Sequence, residues 1–216
     1  MILLTGFNRF ADLDVNPSEL IIESIAGRTR ASGRTDLVTE VLPTEYRRAG
    51  NRLCELIREF KPRAILGLGA AMGTRTLRFE RVALNLDDCN EPDNAGEIAR
   101  GRSIEPHGPM AYGSSLPLTR MLEALEGLGV PAVISNHAGT FLCNHIFYVS
   151  RHHAERLGIP CQCGFIHVPA TSAHVAGDGH CGLPLSLMVE GIECCLDVLR
   201  GKPVSLPPAS RCRVRR

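Results

Sequence analysis

Apolar residues follow two periods along this chain, and the two periods alternate from the first residue to about residue 199. Runs that are apolar throughout, or at every second position, predict β-strands, whereas apolar residues spaced three and four apart predict amphipathic helices. The strands are predicted at residues 1–7, 36–42, 63–68, 78–86, 132–135 and 164–168. The helices are predicted at residues 17–26, 45–61, 116–125, 141–157 and 183–199.

Residues with known capping preferences mark the ends of the first two helices. Asn16 and Pro17 are of the types favoured at the N-cap and at the first helical position, and Gly27 is expected to end this helix. Thr44 is expected to cap the second helix, and Pro62 is expected to end it.

The alternation of strands and helices predicts an α/β fold. We expect a single domain over residues 1–200, with a twisted, mostly parallel central sheet and helices on both faces. Ligand sites in such sheets lie at the carboxyl ends of the strands. Residues 87–113 are rich in Pro, Gly, Asn and Asp and predict a long irregular segment, which in compact domains is often functional. Residues 201–216 predict a basic, proline-containing C-terminal tail.

Charge and composition exclude several classes of protein. The 216 residues carry 24 Lys and Arg against 23 Asp and Glu, a net charge of +1, which is not the basic field of a nucleic-acid-binding protein. No apolar stretch reaches the ~20 residues that span a bilayer. The first residues lack the basic leader of a signal peptide. We therefore expect a cytoplasmic protein that binds neither nucleic acid nor membrane.

The nine cysteines favour the same compartment. An odd number in a chain of this length argues against a disulfide framework, so the thiols are expected to be reduced. Cys161 and Cys163, followed by His174, His180 and Cys181, suggest a zinc site. However, Cys-x-Cys is tighter than the usual zinc-binding pair, and no second matched pair follows. Small buried residues are the favoured interpretation, and no metal or cofactor is predicted.

Three residues at the ends of predicted elements could carry nucleophilic chemistry. Cys143 lies in the first turn of helix 141–157, where the helix dipole and free N–H groups favour a thiolate, although a small buried residue is an equally good interpretation from position alone. His167 ends an apolar strand, where histidines are more often core residues, but it is the best-placed imidazole partner for a cysteine. Glu80 could face solvent, or it could face inward and orient the imidazole.

A glycine-rich segment, Gly67-Leu-Gly69-Ala-Ala-Met-Gly73, is one residue away from the spacing of a dinucleotide-binding fingerprint. No acidic residue for a ribose follows at the expected distance. Glycines are also needed wherever backbone must approach a ligand closely. A nucleotide site is therefore disfavoured, and so is a nucleoside-phosphorylase-like activity, which would need a phosphate site.

Several motifs occur in the same order as in a known family. They are Thr5-Gly-Phe7, Asn16-Pro-Ser18, Glu80-Arg-Val-Ala-Leu-Asn85, Pro92-Asp-Asn94, Ser135-Asn-His-Ala-Gly139, Cys143-Asn-His145 and Gly164-Phe-Ile-His-Val-Pro169. With them the chain resembles the pyroglutamyl peptidase I family of cysteine peptidases, also called pyrrolidone-carboxylate peptidases, over nearly its whole length. The family's triad of Glu, Cys and His, in that chain order, falls on Glu80, Cys143 and His167.

The resemblance implies an intracellular α/β enzyme, often a homotetramer, that removes an N-terminal pyroglutamyl residue from blocked peptides without metal or cofactor. His167 would take the thiol proton, Cys143 would attack the pyroglutamyl carbonyl carbon, and Glu80 would hold the imidazole. Backbone N–H groups near Cys143 would stabilise the oxyanion. By the same resemblance, the pocket for the small uncharged ring is lined by Phe7, Phe10, Phe141 and Leu142.

The chain departs from the family in the expected substrate wall. Asn90 and Glu91 replace the usual Arg and Ile before Pro-Asp-Asn, so a charged donor is lost and a carboxylate stands where an apolar wall is expected. Glu91 could pair with Arg9, which replaces the family's proline after Thr-Gly-Phe-x. Three hypotheses stay open: a pyroglutamyl peptidase, a paralogue that cleaves a related acyl or cyclic-amide substrate, and a catalytically weak binding protein.

Overall fold

The computed structural model describes residues 1–10, 15–174 and 182–203. Within these residues the chain forms ten strands, five α-helices and one turn of 3-10 helix. The strands are β1 (Ile2–Phe7), β2 (Leu37–Leu42), β3 (Ala64–Ala70), β4 (Leu77–Glu80), β5 (Val82–Leu84), β6 (Ala111–Gly113), β7 (Ala132–Ser135), β8 (Gln162–Val168), β9 (Ala170–Thr171) and β10 (Gly182–Leu183). The helices are α1 (Pro17–Ala31), α2 (Tyr46–Phe60), α3 (Leu118–Gly127), α4 (Leu142–Arg156) and α5 (Leu185–Leu199).

The central sheet has six strands in the order β2-β1-β3-β8-β4-β7. Four of its five pairings are parallel, and β4 pairs with β8 in the antiparallel sense. The predicted α/β fold with a mostly parallel sheet is confirmed. However, β4 and β7 run opposite to the other four strands, so the carboxyl ends of β4 and β8 do not lie at the same edge.

Helices cover both faces of the sheet, and each face has its own apolar cluster. Helices α1, α3 and α5 pack on one side, which we call the α5 face, and α2 and α4 pack on the other, the α4 face. Strand residues alternate between the two faces. Leu66, Leu68, Phe79, Ile166 and Val168 lie on the α5 face. No helix among the described residues is both long enough and apolar enough to cross a membrane.

Two predicted strands differ from the observed ones. The single strand predicted at 78–86 is wrong, because the chain breaks at Arg81 and β5 leaves the central sheet to pair with β6. The strand predicted at 63–68 continues through Gly69 to Ala70, because β3 stays paired with β8 along that length. Alternation of apolar residues cannot reveal that a strand changes partner.

The capping predictions for the first two helices have mixed outcomes. Asn16 is the N-cap of α1, and its side chain accepts a hydrogen bond from the Ser18 N–H. Gly27 does not end α1, which continues to Ala31. Thr44 is not the cap of α2, because its hydroxyl donates to Asn8 instead.

The long segment 87–113 is mostly irregular, as predicted, and Asp93 fixes its middle part. One oxygen of the buried Asp93 carboxylate accepts N–H bonds from Ala95 and Glu97, and the other accepts the Tyr46 N–H at the start of α2. A carboxylate from a distant segment therefore does the capping expected of Thr44. Residues 204–216 lie outside the described residues, so the division into a domain and a tail stays a prediction.

Candidate active site

Glu80 and His167 are in contact on the α4 face. Glu80 Oε1 lies 2.7 Å from His167 Nδ1, and the two side chains are only 1% and 13% exposed. The strand register explains the contact: Glu80 stands opposite Phe165 and Arg78 stands opposite His167, so Glu80 reaches the imidazole diagonally across the antiparallel β4–β8 pair. Glu80 therefore faces inward, which is one of the two orientations that the sequence left open.

Cys143 is the second residue of α4 and is half-buried. Its sulfur lies close enough to His167 to interact with the imidazole. Phe141 is the N-cap residue, and it makes no side-chain capping hydrogen bond. The first N–H groups of a helix have no partner within the helix, and they give its start a partial positive charge. The thiol therefore lies where the helix favours negative charge.

His167 carries the strongest electrostatic signal of the site. Burial alone would lower the pKa of its imidazole. The neighbouring Cys143 and Glu80 outweigh burial and raise the pKa of His167 to about 10. At neutral pH this arrangement favours the imidazolium form of His167, held between the Cys143 sulfur and the Glu80 carboxylate, which is the neighbour that a reactive cysteine needs.

Two glycines of β3 make room for these side chains. Gly69 is the register partner of His167, and a Cβ on Gly69 would lie 2.6 Å from Cys143 Sγ. A Cβ on Gly67 would lie 2.5 Å from a ring carbon of Phe165, whose ring contacts that of His167 edge-on. The glycine-rich segment therefore lets the thiol and an aromatic ring lie directly on the sheet. The sequence indicated a close approach here but not which groups approach.

The residues expected to line the ring pocket fall into two groups. Phe10 and Phe141 are partly exposed, and their ring centroids lie 5.1 Å apart. Phe7 and Leu142 are buried in the apolar cluster of the α4 face. Tyr46, which the sequence did not single out, packs edge-on against Phe141 at 5.5 Å. Nothing in the sequence distinguishes a tyrosine at the start of a helix from an ordinary core residue.

The two residues that depart from the family in the expected substrate wall are both exposed. Asn90 and Glu91 lie on the surface of the irregular segment, and Arg9 is exposed as well. The suggested pairing of Glu91 with Arg9 is wrong, because the ion pairs formed by the described residues do not include it. Instead, the Arg9 carbonyl accepts a hydrogen bond from the Asn94 side chain, 2.8 Å long. An exposed carboxylate has water as a partner and needs no cation.

A second buried carboxylate near Cys143 is absent from the sequence predictions. Asp87 is fully buried, 3.0 Å from His145 Nδ1 and 3.1 Å from an Arg102 nitrogen. The Arg102 guanidinium also lies over the Tyr46 ring, 5.2 Å from its centroid. Acidic residues are mostly exposed in proteins, so the sequence position of Asp87 in the irregular segment gave no reason to expect burial.

The cysteine cluster considered for zinc is only partly described. Cys161 and Cys163 have their sulfur atoms 3.7 Å apart, and the Cys163 thiol also approaches the Ser150 carbonyl. His180 and Cys181 lie outside the described residues. Among the residues that are described, no three His, Cys, Asp or Glu side chains are placed to hold a metal ion.

A thiol, an imidazole and a buried carboxylate in contact on an α/β sheet define the class of cysteine hydrolases. The family model described as pyroglutamyl peptidase matches residues 1–200. The pyrrolidone-carboxylate peptidase of Oceanobacillus iheyensis is 37% identical over 198 residues, which cover 92% of this chain and 98% of that protein. The corresponding protein of Gloeobacter violaceus is 39% identical over 202 residues, 93% of this chain and 97% of its own.

Solved structures agree with this match. A mutant pyrrolidone carboxyl peptidase from the hyperthermophile Pyrococcus furiosus has a TM-score of 0.85 at 31% identity, covering 93% of this chain and 98% of its own. Pyroglutamyl peptidase I of Bacillus amyloliquefaciens has a TM-score of 0.82 at 32% identity, covering 90% and 93%. The chain belongs to the pyroglutamyl peptidase family and is therefore an enzyme, a cysteine peptidase. The resemblance stated from the motifs is confirmed.

Proposed function

We propose that this enzyme hydrolyses the amide bond after an N-terminal pyroglutamyl residue, with Cys143 as nucleophile, His167 as acid and base, and Glu80 as the group that holds the imidazole. The observation that carries the proposal is the line of side chains from the Cys143 thiol, which interacts with His167, through the imidazole to the buried Glu80 carboxylate 2.7 Å away. Family membership gives the substrate class, and this line of side chains gives the reacting groups.

The reaction follows from the order of these groups. His167 holds the proton of the thiol while Cys143 Sγ attacks the carbonyl carbon of the pyroglutamyl residue. The oxyanion that forms is stabilised by N–H groups of the first turn of α4. His167 then gives its proton to the leaving amine, which releases the shortened peptide and leaves a thioester. Water attacks the thioester, His167 takes a proton from that water, and the proton returns to sulfur as free pyroglutamic acid leaves.

The partly exposed pair Phe10 and Phe141 supports a pocket for a small, flat, uncharged ring. Phe7 and Leu142 stand behind this pair as buried support. The pyroglutamyl lactam carries no charge, so apolar walls with a few hydrogen bonds suit it better than an ionic site would.

Replacement of the sulfur tests the proposal most directly. Cys143→Ser should lower the hydrolysis of a chromogenic pyroglutamyl amide by about 10⁴-fold or more, since nucleophile, base and holding group act as a unit. Circular dichroism should remain that of the native protein. Cys161→Ser, a half-buried cysteine at the start of β8, is the matched control and should retain normal turnover. Undiminished hydrolysis by Cys143→Ser would remove the nucleophile assignment.

A second candidate, altered specificity within the same chemistry, is favoured by Asn90 and Glu91. The test compares kcat/KM for pyroglutamyl amides with that for other aminoacyl and cyclic-amide substrates. If the two departures matter, the double change Asn90→Arg and Glu91→Ile should raise pyroglutamyl activity. An unchanged double variant would show that these exposed side chains do not touch the substrate.

We also propose that the enzyme works in the cytoplasm as a homo-oligomer, as resemblance to the family implies. The seven cysteines among the described residues are free thiols, the usual state in a reducing compartment. Sedimentation velocity of the full chain should give a species heavier than 23.5 kDa. A single species of that mass at micromolar concentration would contradict the assembly.

A further inference from the structure

Asn144, the residue directly after Cys143, is fully buried and makes three side-chain hydrogen bonds to one backbone segment. Its Oδ1 accepts the N–H of Leu84, with 2.7 Å between the heavy atoms. Its Nδ2 donates to the carbonyls of Leu84 and Leu86, each at 2.9 Å. Both N–H groups and the oxygen of the Asn144 amide form hydrogen bonds, so each polar atom of this buried side chain has a partner.

The segment bound by Asn144 continues from the strand that carries Glu80. Strand β5, which ends at Leu84, is separated from the end of β4 by Arg81 alone. Both the N–H and the carbonyl of Leu84 bond to the amide, so Asn144 takes the place that a third strand would occupy beside the β5–β6 pair. The helix of the nucleophile is thereby attached directly to the extension of the carboxylate's strand.

These bonds give α4 a second connection to the β4–β5 segment, besides the one that runs through the catalytic groups. On one side, Glu80 contacts His167, and His167 contacts Cys143. On the other side, Asn144 joins the turn that holds Cys143 to Leu84, four residues beyond Glu80. The Asn144 bonds, together with the contact of His145 with Asp87, attach the first turn of α4 to the segment that follows β4.

We propose that Asn144 is a positioning residue that holds the Cys143 thiol in place beside His167. The inference rests on the proposed function of Cys143 as nucleophile. A thiol displaced by about 1 Å is badly placed for proton exchange with the imidazole, and displacements of this size can cost about 10²-fold in rate. The competing interpretation is that Asn144 only satisfies the backbone of β5 and contributes to stability alone.

Two variants and one control separate these interpretations. Asn144→Ala removes all three bonds, and Asn144→Ser keeps a shorter polar group that can satisfy part of them. Ser150→Ala is the control, because Ser150 is a buried polar residue further along the same helix, and its hydroxyl donates to the carbonyl of Phe147 within α4 itself. Each variant is assayed as the full chain with a chromogenic pyroglutamyl amide, and rates are normalised to the folded fraction.

If Asn144 positions the thiol, Asn144→Ala should lower kcat by about 10²-fold with KM changed less than about threefold. Asn144→Ser should fall between Asn144→Ala and the wild type. The alkaline limb of the pH–rate profile should also move to lower pH, because Cys143, which with Glu80 raises the pKa of His167, has moved away. Ser150→Ala should lose stability without a change in kcat or in the alkaline limb.

Normal kcat and a normal alkaline limb in folded Asn144 variants would overturn the inference, and so would failure of both variants to fold, since the amide would then be purely structural. These outcomes are distinct from failure of the proposed function. Full activity of Cys143→Ser would reject the nucleophile whatever Asn144 does. An inactive Cys143→Ser together with normal Asn144 variants would reject the positioning role alone.

Discussion

The two faces of the central sheet use the same strands for opposite purposes. On β3, Leu68 points into the α5 face and its neighbour Gly69 into the α4 face; on β8, Ile166 and His167 divide in the same way. The α5 face is filled with large aliphatic side chains. The α4 face carries glycine, an imidazole and a buried carboxylate at the equivalent positions.

This contrast shows how one strand can stabilise the fold through the residues on one face and position a reactive group on the other. Each fully buried aliphatic side chain on the α5 face contributes about 1.5–3 kcal/mol relative to exposure. The glycines of the α4 face bury no side chain, and Glu80 has one buried carboxylate oxygen that finds no hydrogen-bond partner among the described residues. Because successive residues of a strand point to opposite faces, burial of aliphatic side chains on the α5 face offsets the lost stability of the α4 face within the same few residues.

Among the changes that compare the two faces, the largest effect is expected from the carboxylate on the α4 face. Glu80→Gln should lower kcat by about 10³–10⁴-fold, as loss of the charge that holds a catalytic imidazole does in related arrangements. The alkaline limb of the wild-type pH–rate profile is expected near pH 10, where His167 loses its proton, and it should move to lower pH in the variant. Steady-state rates from pH 6 to 11 measure both effects.

The same titration has a defined sign for stability. The pKa of His167 is raised in the folded protein from its ordinary value of 6.5 to about 10, so the folded form keeps a proton that the unfolded chain loses. The stability from this ionised contact is complete below about pH 6.5 and is lost as the pH rises through about 10. A Glu80→Gln protein whose unfolding free energy and alkaline limb both matched the wild type would contradict the assigned contact.

On the α5 face, Leu68→Ala should reduce the unfolding free energy by about 2–5 kcal/mol, because it leaves a cavity in a fully packed cluster. The kcat per folded molecule should stay normal, since the side chain points away from Cys143. Urea unfolding and active-site titration measure the two quantities. A large loss of kcat in the folded protein would show that the two faces are not independent.

Gly69, the residue beside Leu68, should behave in the opposite way, with a larger effect on activity than on stability. Gly69→Ala places a Cβ within 2.6 Å of Cys143 Sγ, so the thiol must move, and we expect kcat to fall by about 10²-fold. Overpacking should cost only about 1–3 kcal/mol of stability. If Gly69→Ala retained normal kcat, the thiol could not be as close to β3 as described.

The smallest effect is expected away from both faces. Gly27 lies inside α1, and a Cβ there would meet no atom within 4 Å. Gly27→Ala should therefore raise the unfolding free energy by about 1 kcal/mol through helix propensity, with no change in activity. Thermal unfolding monitored by circular dichroism is sufficient. A destabilised variant would indicate that α1 is not continuous through this residue.

Local signals in the sequence were reliable where neighbours along the chain decide the outcome. The cap at Asn16 and strand β7 were correctly predicted, because each depends on residues within a few positions. The cap of α2 was wrongly assigned to Thr44, because Asp93 reaches it from another segment. The single strand predicted at 78–86 was wrong because pairing, and not hydrophobic alternation, determines where β4 ends.

The sequence by itself determined the α/β class, the family and three candidate groups for the chemistry, since residue type, order and periodicity carry that information. Only the tertiary structure decided that Glu80 faces inward across an antiparallel pair, that Gly69 makes room for the thiol, and that Asn144 attaches the helix of Cys143 to β5. The physical reason is that these three facts depend on distances between residues far apart in the chain. Such distances are set by strand register and helix packing, and the pattern of residues along the chain does not specify either.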